Sequence, residues 1–186
     1  MASSPPDVTI DPFLSWFSGS QVCDAQGTPL ICHHASGKQI ETFQPFTHFG
    51  TLKAAKRRAA DKAISQPLIH EVYLALTKPL DVRDDEVDNN PTQLLNLAVD
   101  RSVISVERRD ELLEGVSEAM GQATMGPFAP AEHTSRKWNA GMGVLAPRLA
   151  VLGYDGLRYN NTREGDVSFV NFRSDQIWQL GKVHHD

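Results

Sequence analysis

Apolar positions near the start of the chain recur at helical spacing. Phe13, Trp16 and Phe17, closed by Ser18-Gly19-Ser20, predict a short helix. Two short apolar runs follow, Gln21-Val22-Cys23 and Pro29 to His34. They flank the turn residues Asp24-Ala25-Gln26-Gly27 and predict a hairpin. Phe46 to Phe49, ended by Gly50, predicts a third strand. Thr51 is a good N-cap for the run Leu52 to Ile64, whose Ala, Lys and Arg residues are strong helix formers. Its basic residues (Lys53, Lys56, Arg57, Arg58, Lys62) are expected on a solvated face. His70 to Leu76 alternates on Val72, Leu74 and Leu76, a strand pattern, with Pro79 just beyond it.

The pattern then changes period. Helices are predicted at Thr92–Val99, with Leu94, Leu95 and Ala98 on one face, and at Val106–Met120. Gly126 to Pro130 reads as a loop. A long helix over Ser135–Leu152 carries Trp138, Met142, Leu145, Leu149 and Leu152 on its apolar face, with Pro147 expected to kink or start it. The end returns to strands at Tyr154–Tyr159, Val167–Phe172 and Asp175–Leu180, with a polar turn from Asn160 to Asp166 between the first two. Strands at both ends with helices between them predict an α+β fold over one domain, 1–186.

Composition narrows the class. With 186 residues, 40% of them hydrophobic and 22% charged, the chain is long enough to bury a core without a metal or disulfide. No apolar run approaches the ~20 residues of a membrane span, and the first dozen residues lack a basic region before an apolar core. The expectation is a soluble, cytoplasmic protein. Cys23 and Cys32 are expected as reduced thiols. The net charge of −5 disfavours a broad nucleic-acid footprint, and the acidity is local, with 11 acidic and 4 basic residues from Asp81 to Glu118.

Chemistry-bearing motifs are few. His33 and His34 are adjacent, so on a strand their rings face opposite ways and do not chelate one ion easily. No Cys/His set has zinc spacing, so no metal is expected. GxGxxG, GxxxxGK[ST] and GxSxG are absent, which removes the main support for Rossmann, P-loop and α/β-hydrolase readings. Cys32 reads as a small apolar strand residue ahead of a nucleophile. The turn before Val167 holds two carboxylates, Glu164 and Asp166. Spacing alone favours an ordinary hairpin turn; the alternative is a carboxylate aimed into a cleft.

Several blocks, in order, resemble the ADP-ribosyltransferase domains of polyvalent proteins of phages and mobile elements. They are Trp16-Phe17-Ser18-Gly19-Ser20-Gln21-Val22 with Asp24, Gly27 and Pro29-Leu30-Ile31; the strand end Cys32-His33-His34-Ala35-Ser36; and His48-Phe49-Gly50-Thr51 with Ala54-Ala55. Val72-Tyr73-Leu74 with Pro79-Leu80, Leu152-Gly153-Tyr154-Asp155-Gly156-Leu157, and Glu164 with Ser168-Phe169-Val170 and Gln176-Ile177 complete the set. The family's strand ends tyrosine-histidine-glycine-threonine. Here His34 keeps the histidine, while His33, Ala35 and Ser36 replace the other three. Residues from about 81 to 130 have no counterpart and read as a helical insertion.

The resemblance implies a split antiparallel β-core with a NAD-binding cleft. It assigns His34, Ala35 and Ser36 to the NAD+ ribose, Phe49 to stacking on nicotinamide, with His48 as its rival for the cleft, and Thr51 to the pocket. Glu164 becomes the catalytic carboxylate, with Asp166 as its rival. The implied activity is mono-ADP-ribosyl transfer from NAD+, the substrate, to a macromolecular target, as an effector or toxin of a phage, plasmid or pathogen. A protein target is expected, and a nucleic-acid target stays open. NAD+ glycohydrolysis and a non-catalytic binding protein on the same fold are the alternatives. The insertion is expected to recognise the target or to cap the core.

Overall fold

The computed structural model describes residues 11–82, 90–100, 102–126, 130–161 and 166–183. In chain order they form α1 (Pro12–Phe17), β1 (Cys32–Ser36), β2 (His48–Phe49), α2 (Leu52–Asp61), β3 (Leu68–Leu74), β4 (Pro79–Asp81), α3 (Pro91–Asp100), α4 (Val106–Leu113), α5 (Val116–Gln122), α6 (Pro130–Val151), β5 (Gly156–Asn161), β6 (Asp166–Asn171) and β7 (Ile177–Val183). The α+β expectation holds. One sheet has the order β1-β3-β7 and is antiparallel throughout. The other has the order β2-β6-β5-β4, antiparallel except where β4 runs parallel to β5. An isolated bridge between His33 and Gly50 ties them, with His33 N donating to Gly50 O at 2.8 Å and Gly50 N to His33 O at 3.0 Å.

The short elements follow local rules. Pro12 opens α1, and the Asp11 side chain caps it by accepting from Phe13 N at 2.8 Å. Phe13 and Trp16 then lie against Trp178 of β7, each with ring centroids 5.5 Å away, and Trp16 Nε1 donates to Asp175 O. The expected hairpin after α1 is reduced to a single Cys23–Pro29 bridge around a turn held by Asp24, whose side chain accepts from Gln26 N and Thr28 N. Thr51 caps α2 by accepting from Ala54 N, as predicted.

Three features depart from the sequence reading. The predicted helix over 106–120 is two helices, because Gly115 takes φ 75° between them. Helix α6 starts earlier than expected and continues through Pro147, which leaves the Gly143 carbonyl without a helical N–H. Residues 79–81, read as lying beyond a strand, form β4.

Two apolar cores result. Leu80, Leu94, Leu95, Leu112, Val116, Met142, Leu145, Leu149, Leu157 and Val170 are buried together between α3–α6 and the β4–β5–β6 face. The stretch 81–130 is therefore not an appendage to a finished core: Leu94, Leu95, Leu112 and Val116 help to make one. Its acidic residues Asp84, Asp85, Glu86 and Asp88 lie outside the described residues. Val22, Cys32, Phe43, Phe49, Val72, Leu74, Leu76 and Phe169 form the second core, between the two sheets. Among the described residues, no helix is long and apolar enough to cross a membrane.

Candidate functional site

Alternation along β1 sends residues 32, 34 and 36 to one face. Cys32 is buried there as an apolar filler, and burial pushes its thiol up to about 12, which suits packing rather than nucleophilic chemistry. His34 and Ser36 follow on the same face, half-buried. Across the ladder, His34 pairs with His70 and Ser36 with Leu68. His70 is 2% exposed, and its Nε2 lies 2.9 Å from Ser36 Oγ. The Ser36 hydroxyl also donates to the Lys38 carbonyl.

The His34 ring is held on several sides. Its Nδ1 is 2.8 Å from the His48 carbonyl, and Phe43 and Phe49 meet it at centroid distances of 5.5 and 5.8 Å. Burial is the main reason that its imidazole titrates below the ordinary histidine range. The His48 bond opposes that shift, and electrostatic repulsion from His70, Lys62 and Arg58 adds to it. Arg58 of α2 and Lys62 at its C-terminal cap therefore contribute two cations to the electrostatics of this strand. On the opposite face of β1, His33 Nε2 is 3.4 Å from Glu71 Oε1, and His33 Nδ1 is buried without a hydrogen-bond partner among the described residues.

The residues assigned from the sequence separate into groups. His34 and Ser36 come together, and Ala35 pairs with Ile69 on the other face of β1. Phe49 needs correction as a ligand-stacking ring. It is 1% exposed and packs on Phe43 at 5.1 Å, inside the core between the sheets. In a two-residue strand the apolar side chain takes the inner face. His48 takes the other face, half-buried, with Nδ1 2.7 Å from the Tyr159 hydroxyl. The Thr51 hydroxyl is engaged as a helix cap.

Glu164 lies outside the described residues. Asp166 begins β6 and pairs with Asn161, and its side chain is not described. Because Phe169 pairs with Phe49, β6 enters the sheet on the Thr51 side of β2.

Other residues of the resemblance serve the scaffold. The Asp155 carboxylate accepts from Thr77 N, Thr77 Oγ1 and Lys78 N, fixing the approach to β4. Gln176 is 1% exposed; its amide donates to Asp155 O, and its Oε1 accepts from Phe172 N and Arg173 N. The residue beside this candidate site that sequence reasoning missed is His70. A signal existed: it shares the parity of Val72 and Leu74, so alternation puts a polar ring on an inward face, where it needs a partner.

No protein-family model and no curated protein matches this chain. Among solved structures, one titled "Crystal structure of an anti-CRISPR protein" is similar over 81% of this chain and 95% of its own length, at 15% identity and a TM-score of 0.38.

Proposed function

We propose that the chain is a cytoplasmic NAD+-dependent mono-ADP-ribosyltransferase that modifies a protein. The observation that carries this reading is the shared face of β1. His34, anchored through Nδ1, and Ser36, anchored to His70, stand two residues apart, beside cations suited to a diphosphate. Among the described residues, His34 Nε2 has no hydrogen-bond partner, so it is available to a ribose hydroxyl. Glu164, with Asp166 as its rival, then stabilises the positive charge that grows on the ribose as the nicotinamide bond breaks. Such an oxocarbenium-like state is stabilised by a fixed carboxylate, worth ~10²–10³ in rate. Neutral nicotinamide leaves, and the acceptor nucleophile attacks the anomeric carbon.

The test is nicotinamide release from labelled NAD+, with and without a host lysate. Glu164→Gln is expected to lose at least ~10² in rate while still binding NAD+, because the amide keeps shape and loses charge. Asp166→Asn is expected to lose less. The opposite ranking exchanges the two assignments. Label transfer to nucleic acid instead of protein would replace the acceptor named here, and release that needs no acceptor would point to a glycohydrolase.

A second reading has its own observation. Phe49 is in the core, and the Thr51 hydroxyl caps a helix, so two of the residues assigned to NAD+ already have structural work. That fits a non-catalytic binding protein on the same scaffold. NAD+ at 100 times its Kd stabilises a true binder by about 2.7 kcal/mol. No thermal shift and no nicotinamide release would favour the second reading.

A further inference from the structure

The hydrogens on the β1 face can be assigned by elimination. A carbonyl oxygen brings no proton, so the contact between His34 Nδ1 and His48 O requires the proton on Nδ1. With its titration pushed down by burial, the ring is neutral near pH 7, and Nε2 carries a lone pair. Ser36 has a single hydroxyl hydrogen, and it goes to the Lys38 carbonyl. Toward His70 the Ser36 oxygen must therefore accept, which puts a proton on His70 Nε2. One lone pair of Ser36 remains, without a further protein partner among the described residues.

We infer that His70 is a positioning residue that holds Ser36 as an acceptor, so that His34 Nε2 and Ser36 Oγ form a pair of neutral acceptors selecting a ligand with two neighbouring hydroxyl donors, such as a ribose diol. This rests on the dinucleotide reading above and adds a rule to it. Residues 34 and 36 are spaced about 6–7 Å along one strand face, a span that a diol and its ring can bridge. A phosphate oxygen at the same place would face two lone pairs and find no proton. Arg58 and Lys62 act on the electrostatics of His34 and draw anions to the neighbourhood. The acceptor pair then sorts hydroxyl from phosphate.

The experiment combines binding and spectroscopy on the full chain. Calorimetry measures NAD+ and analogues in which one ribose hydroxyl at a time is replaced by hydrogen, against the unaltered protein, His70→Leu and His70→Gln. In the unaltered protein at least one analogue is expected to bind about 10-fold more weakly than NAD+. His70→Leu is expected to weaken NAD+ about as much and to stop discriminating that analogue, since coupled contacts are not additive. His70→Gln, whose amide N–H can donate to Ser36 Oγ, is expected to restore both affinity and discrimination. Imidazole ¹⁵N–¹H correlation spectra, which need no ligand, are expected to show His34 protonated on Nδ1 and His70 on Nε2.

The opposite tautomer at either ring overturns the inference. So does equal binding of NAD+ and every analogue, or a Gln variant no better than Leu when both fold. If NAD+ gives no saturable heat while both tautomers are as assigned, the dinucleotide reading itself fails and takes the ribose ligand with it.

Discussion

The two cores are built from different materials. The helical half is almost wholly aliphatic: Leu94, Leu95, Met142, Leu145, Leu149 and Leu157 are each fully buried, drawn from α3, α6 and β5. The core between the sheets is smaller and mixed: Val22, Val72, Leu74 and Leu76 are aliphatic, while Phe43 and Phe49 also meet the His34 and His70 rings. Polar atoms there must each find a partner, and a half-satisfied network is worse than none. The contrast teaches a division of labour. Apolar burial without polar obligations supplies stability on one side. On the other, Ser36 and the His48 carbonyl give the His70 and His34 rings polar partners beside the apolar packing.

The strongest way to break that division is Leu149→Ala. Removing a fully buried leucine from the helical half is expected to destabilise by about 2–5 kcal/mol. That corresponds to several degrees in Tm for a chain of this size. NAD+ affinity at a temperature where the variant stays folded is expected to remain within about 2-fold. A parallel collapse of affinity would show that the halves are not separable.

Thr51→Ala tests the border. Loss of the α2 cap is expected to cost about 1 kcal/mol in denaturant unfolding, and Thr51→Ser to recover it, because only the hydroxyl acceptor matters. If NAD+ affinity falls further than stability does, Thr51 also lines the pocket.

The smallest effect sharpens the sheet half alone. An unfolded histidine titrates near 6.5, and His34 in the fold titrates lower. Between those two values the unfolded chain binds more protons. Stability is therefore expected to fall as pH drops below about 6.5 and to be flat above it, as far as this group is concerned. His34→Gln removes that part of the slope, so the two Tm-against-pH curves should converge toward low pH. Parallel curves from pH 7 to 5 would mean that His34 is not held neutral.

These contrasts also explain what the sequence could and could not convey. α2 was legible because its cap, its propensity and its length agree locally. β6 was legible because Val167 to Phe172 alternates without interruption. β4 was hidden, since a three-residue strand starting at Pro79 owes its existence to parallel pairing with β5, made late in the chain. Gly115 split a helix whose side chains alone read as continuous. His34 and Ser36 share one face of β1 because alternation brings positions two apart together. Phe49 was misplaced because two residues are too few to tell which face of a strand is inward. His70 went unnoticed because its partner lies 34 residues away, and no local pattern encodes that meeting.

The order β1-β3-β7 has a consequence for synthesis. The middle strand, β3, gains its second neighbour only when β7 is made, after α1 to α6 have been synthesised. Until then one edge of β3 has no ladder to join, while α3 to α6 can already begin to associate, their contacts being close in sequence. The helical half is thus the part a nascent chain can settle first, and the histidine-bearing sheet closes last. A truncated or half-made copy would carry His34, Ser36 and His70 without the strand that completes their sheet, so the face they share is finished only when β7 has joined.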